Sequence, residues 1–222
     1  MSKKLFSLLA VLGFLAVTTV RAEEYGFDKA HSHIGFSVKH ILSKVQGQFK
    51  DYDGSFSFDP KNPEAGKVDV TIQAASIDTN NEMRDKHLQS PDFFDAEKLP
   101  TLTFKSTKVT AAGENKYQVA GDLTLHGVTK PVVLDVDYLG ADTMEMGKDK
   151  KTTAKLVGFS ATTKINRQDF GLTFNKVLAS GNLMVGNDVE IVLDIAGMDK
   201  ASLKTMAEMM KGGKGKKDDK KK

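Results

Sequence analysis

Histidine is the residue type best placed to do chemistry in this 222-residue chain. His31, His33 and His40 flank one stretch, HSHIGFSVKH, while His87 and His126 stand apart. Imidazoles at i and i+2 share one side of an extended strand, a spacing that some zinc sites use. The chain has no cysteine, which excludes thiolate ligands, thiol nucleophiles and disulfides. No third ligand is placed by sequence beside His31 and His33. Serine chemistry lacks support as well, because no Gly-x-Ser-x-Gly elbow is present. No pair of aspartates stands out from solvated strand ends. No catalytic residue, metal or cofactor is assigned, and the chain is read as a non-enzyme. A histidine-based metal-dependent hydrolase is the alternative.

The elements that must carry these side chains read as strands. Ile34, Phe36 and Val38 alternate with Gly35, Ser37 and Lys39, the period of a strand with one apolar face. The same alternation recurs at Phe56–Phe58, Val68–Ile72, Leu102–Phe104, Val119–Leu125, Val132–Tyr138, Phe159–Ile165 and Val189–Ile195. With the Gly47–Phe49 region this predicts eight or more half-buried strands, hence an antiparallel sandwich or barrel. One helix is expected near 80–90, capped by Asp78, Thr79 or Asn80 and stopped by Pro91, with Met83, His87 and Leu88 on one face. Residues 141–155 lack apolar alternation and read as a long hairpin loop. Residues 200–211 can form a weak amphipathic helix through Leu203, Met206, Met209 and Met210. The segment 198–222 as a whole is expected to be largely disordered.

The N-terminus has the form of a secretory signal peptide over residues 1–22. Lys3 and Lys4 precede the apolar run Leu5–Val20, and cleavage is expected between Ala22 and Glu23. The tail 211–222 carries seven Lys and two Asp, whereas the body 23–210 carries 22 basic and 27 acidic residues. A mildly acidic body argues against a nucleic-acid partner. The tail can touch an anionic membrane surface, at ~1 kcal/mol per Lys, or simply keep the chain soluble.

Phenylalanine is the telling aromatic. Phe36, Phe49, Phe56, Phe58, Phe93, Phe94, Phe104, Phe159, Phe170 and Phe174 fall at strand or motif positions. Composition leaves open whether the interior is packed or hollow, since an eight-stranded barrel allows either. Motifs in order go further. They are Asp28-x-x-His31-Ser32-x-Ile34-x-Phe36-x-Val38-x-His40, Gly47-x-Phe49 and Ser76-Ile77-Asp78-Thr79. Arg84-Asp85-x-His87-Leu88-x-Ser90 follows, then Asp92-Phe93-Phe94-Asp95 with Pro100 and Phe104. Gly121-Asp122-Leu123-Thr124-Leu125-His126-Gly127-Val128-Thr129, Arg167-x-Asp169-Phe170-Gly171 and Gly186-x-x-Val189 complete the set. From Tyr25 to Ile195 the chain resembles the YceI-like family of bacterial polyisoprenoid-binding proteins.

That resemblance implies an all-β, lipocalin-like extended antiparallel barrel over 23–197, with a hydrophobic tunnel for an isoprenoid lipid in the periplasm. It implies a polyprenyl phosphate or isoprenoid quinone as ligand, no defined reaction, and a possible homodimer. The expected apolar wall is Phe36, Val38, Phe104, Leu123, Leu134, Phe159, Ile165 and Phe170, with Phe93, Phe94 and the 80–90 helix as gate. His31, Arg84, His87 and Arg167 are candidates for head-group contacts. For Arg84-Asp85 and Arg167-x-Asp169, loop-pinning ion pairs are the equal alternative. A filled barrel acting through protein partners in envelope stress is a further rival.

Overall fold

The computed structural model describes residues 22–147 and 152–214. The strands are Glu23–Phe27 (β1), His33–His40 (β2), Ser43–Phe49 (β3), Tyr52–Phe58 (β4), Lys67–Gln73 (β5) and Ile77–Asp78 (β6). Thr101–Gly113 (β7), Lys116–Leu125 (β8), Val128–Met146 (β9), Thr152–Asn166 (β10) and Val185–Asp199 (β11) follow. Two α-helices accompany them among the described residues, Glu82–Gln89 (α1) and Lys200–Lys214 (α2).

Alternating apolar residues need a surface that buries one face of every strand, and a closed sheet supplies it without leaving edges. In the order β1-β4-β5-β7-β8-β9-β10-β11, eight antiparallel strands close through a pairing of β11 with β1. β11 makes this closure with only its last residues, Gly197 to Asp199. Its earlier part, Val185 to Asp194, pairs with β2, and the leaf β2-β3-β6 extends from there. β1 and β2 are therefore consecutive partners along one long strand. The turn between them is fastened to β11, where Asp28 N donates to Ala196 O at 2.8 Å and Ala196 N to Ser32 Oγ at 3.0 Å.

α1 follows β6. Asn81 is its cap, accepting from Arg84 N at 3.0 Å, in place of the expected Asp78, Thr79 or Asn80. Thr79 is instead a buried hub. Its hydroxyl donates to Asp85 Oδ1 (2.5 Å) and accepts from Arg84 Nε (2.7 Å), while its carbonyl accepts from Arg84 Nη2 (2.8 Å).

Two sequence expectations are corrected here. Residues 141–146 and 152–155 are strand and not loop, since β9 runs to Met146 and β10 starts at Thr152, paired Thr152↔Met146 through Leu156↔Asp142. A ladder needs backbone pairing, not apolar residues on both faces. The face that is covered is Met146, Ala154 and Leu156, packed with Met198, Leu203 and Met206. The same cluster overturns disorder for 198–214, because Met198 is buried in β11 and α2 docks through Leu203 and Met206. Residues 148–151, 215–222 and residues 1–21 of the expected signal peptide 1–22 lie outside the described residues.

Candidate ligand cavity

The strand parity of the sequence is realised inside the barrel. Ile34, Phe36, Val38 and His40 of β2 face inward, as do Phe159, Ala161, Thr163 and Ile165 of β10 and Val189, Ile191, Leu193 and Ile195 of β11. They surround a cavity of about 700 Å³ whose wall is almost wholly apolar. That volume lies within the range of ligand sites, roughly 300–1,000 Å³, so the barrel is hollow.

The cavity has a polar end and an aromatic end. Register sets its direction, as Ile165 pairs with Val189 and Val189 with Val38 at one end, while Phe159 pairs with Ile195 nearer the other. At the aromatic end the Phe58 ring lies 4.9 Å from Tyr138, 5.0 Å from Phe159 and 5.8 Å from Tyr117. Tyr25 stacks on Phe56 at 5.5 Å, and burial together with Glu23 pushes its phenol up to about 12.

The polar end is built by α1 and by the segment after β10. Arg167 occupies the next inward position of the β10 row, in a 3-10 turn over Arg167–Phe170. It is buried, donates from Nε to Gly186 O at 2.9 Å and from Nη1 to Leu172 O, and leaves Nη2 without a partner. Burial draws its pKa below the ordinary arginine value, yet arginine keeps its charge throughout the physiological range. No carboxylate lies within ion-pairing distance of it or of Arg84 among the described residues. The His87 ring packs edge-on against Phe93 (5.1 Å) and Phe174 (5.0 Å), with Nε2 3.0 Å from Asp92 Oδ2.

Of the expected wall, Phe36, Val38, Phe104, Leu123, Leu134, Phe159 and Ile165 border the cavity, and so do Phe93 and Phe94. Arg84, His87 and Arg167 border it too. Two expectations fail. Phe170 is buried outside the lining, because the 3-10 turn reverses the chain at Gly171 (φ 79°) and sends its ring into the core. His31 lies outside the barrel, exposed, its Nδ1 2.8 Å from Asp28 Oδ2. His33 faces Gln48 Oε1 at 3.1 Å, so the two imidazoles do not converge. Arg84 and Asp85 meet through Thr79 and not as an ion pair. Sequence reasoning missed Phe174, Lys176 and Met184 at the polar end. They stand in an irregular segment, where no periodicity marks an inward side.

Residues 25–197 match the YceI-like domain family. The chain belongs to the YceI-like domain family. A UPF0312 protein of Ectopseudomonas mendocina is 43% identical over 180 residues, covering 80% of this chain and 88% of the relative. The crystal structure of the Campylobacter jejuni YceI protein superposes with a TM-score of 0.60 at 38% identity, over 78% of this chain and 96% of that one. A polyisoprenoid binding domain from Saccharophagus degradans, implicated in plant cell wall breakdown, gives a TM-score of 0.55 at 18% identity, over 81% and 99%. At that identity the likeness is one of fold. The YceI-like match ends at residue 197, so the whole of α2 lies beyond it.

Proposed function

We propose that this YceI-like protein binds an isoprenoid lipid, a polyprenyl phosphate or an isoprenoid quinone, and carries or stores it in the periplasm. The observation that carries the reading is the pairing of a long apolar cavity with one buried, under-satisfied cation at its polar end. Ten enclosed chain carbons at ~0.8 kcal/mol per methylene contribute on the order of 8 kcal/mol before ordering costs. That is near micromolar affinity, so the wall can hold the chain while the polar end selects the head group.

Arg167 Nη2, buried and without a partner, is the donor left for a phosphate or quinone oxygen, and Arg84 and His87 border the same cavity. Burial strengthens such a contact, because a charge-assisted hydrogen bond formed away from water is not diluted by competing solvent. The name of the Saccharophagus degradans neighbour supports the ligand class, and the leader-like residues 1–22 support export.

Native mass spectrometry with organic extraction of protein purified from the periplasm tests the reading. A co-purifying isoprenoid, and saturable uptake of a prenyl quinone, are expected. Absence of both would exclude the carrier function.

A further inference from the structure

We propose that the polar end of the barrel is also a membrane-docking surface, seating the opening on an anionic lipid bilayer so that a chain passes between bilayer and cavity without crossing water. This rests on the lipid-carrier reading and adds where on the molecule exchange occurs.

Two chain tips stand beside each other at this end. The β2–β3 turn carries Ile41 and Leu42. Residues 176–184 fold back as a small hairpin, in which Met184 N donates to Lys176 O at 2.8 Å and Val177 pairs with Leu183. Ile41 N donates to Met184 O at 2.8 Å and locks the tips together. Leu42 is 97% exposed and Val177 70%, and Ile41 and Leu183 are exposed as well. Met83, in the first turn of α1, is 83% exposed and borders the same cavity. α1 is tied to this end by the His87–Phe174 ring contact.

Turns of this kind ordinarily carry polar residues. Five exposed apolar side chains here do nothing for the fold, yet they continue the apolar wall outward through Met184 and Val185. Scattered exposed apolar residues are unremarkable, whereas a group gathered at one end of the cavity marks an interaction surface.

Charge selects the occupant. Near this end of the barrel Lys44 is paired with Glu190 (2.6 Å) and Lys164 with Asp188 (3.8 Å). Lys39 and Lys176 have no carboxylate partner among the described residues, and Arg84 and Arg167 stand behind them. Apolar tips flanked by two unpaired lysines, Lys39 and Lys176, match a negatively charged bilayer, where the tips enter the interface and lysines meet phosphates, while Glu82 and Asp169 at this end are the carboxylates that oppose it.

The test is vesicle flotation of the mature chain against Leu42→Asp/Val177→Asp, using vesicles of phosphatidylethanolamine and phosphatidylglycerol. Both side chains are largely solvent-exposed, so the melting temperature is expected to be unchanged. The Lys-rich tail is common to both proteins and cancels in the comparison. Wild type is expected to float with the vesicles and to detach as salt rises, and the double variant to partition at least about tenfold less. Equal partitioning of the two proteins, or no flotation of wild type, overturns the proposal. Self-association of wild type that the double variant abolishes, without flotation, assigns the surface to a second copy and overturns it too. Uptake of a prenyl quinone delivered from cyclodextrin separates the two readings. Wild type failing that uptake removes the carrier function, while flotation still decides docking.

Discussion

Phe36 lays its ring over Gly47, its direct partner across the β2–β3 ladder. A Cβ at residue 47 would overlap that ring and stand 2.8 Å from Thr79 Cγ2, on the hub that holds Arg84 and Asp85. The Gly47-x-Phe49 motif thus clears a seat for an inward aromatic on the neighbouring strand. Gly47→Ala is expected to cost about 1–3 kcal/mol, the usual range for overpacking, and to swing the Phe36 ring into the cavity. Urea unfolding and prenyl quinone uptake should both fall. Unchanged stability would mean the ring has another place to go.

Ala161 asks the converse question. It is buried, borders the cavity, and pairs with Val136 and Leu193, which also line it. In a packed core Ala161→Phe would cost about 1–3 kcal/mol. In a hollow barrel the added ring has room, so the melting temperature is expected to hold or rise while quinone uptake is lost. A drop in stability without prior binding would identify a filled barrel.

The strand parity that carries the wall was legible from residue alternation, since Phe36 and Val38, Phe104, Leu123, Leu134, Phe159 and Ile165 all border the cavity. Arg167, named through the family resemblance, is the next odd position after Ile165 and continues the same inward row. His31, also named through the resemblance, misled because motif order does not report where a strand starts; His31 precedes β2, in the turn that Asp28 and Ser32 fasten to β11. Phe170 misled for a related reason, as a 3-10 turn breaks the alternation. The β9–β10 extension was hidden because its cover, Leu203 and Met206, comes from a helix about 50 residues later. No local pattern reports a partner that distant.

Arg167 should govern the choice of head group more than the hold on the chain. Its Nη2 is the buried donor left over once Gly186 O and Leu172 O are satisfied. A hydrogen bond to a charged group contributes about 1.5–3 kcal/mol, so Arg167→Met is expected to weaken binding of a polyprenyl phosphate by roughly tenfold to a hundredfold. Binding of an uncharged isoprenoid hydrocarbon is expected to change little. Competition between the two ligands measures this, and equal loss for both would reduce Arg167 to a loop anchor.

Asp199 couples the C-terminal helix to pH. Its Oδ1 accepts from Ser202 N at 2.9 Å, capping α2, and its Oδ2 accepts from Lys155 N at 2.8 Å on β10. Burial pushes the carboxyl up, but these hydrogen bonds to the ionised form outweigh it and hold the group below the usual aspartate value. The unfolded chain titrates near ~3.9. A folded value beneath that gives stabilisation fully present above the unfolded pKa and lost as pH falls through the folded one. Leu203 and Met198 lie under this cap, against the short Gly26–Met198 closure of the barrel, so α2 is expected to detach in acid before the main core opens. Asp199→Ala should cost about 1 kcal/mol at neutral pH, as loss of a helix cap does. The difference from wild type should vanish below the folded pKa. Urea unfolding followed by circular dichroism from pH 7 to pH 2 measures it, and a difference that persists undiminished at pH 2 would show that the carboxylate charge plays no part.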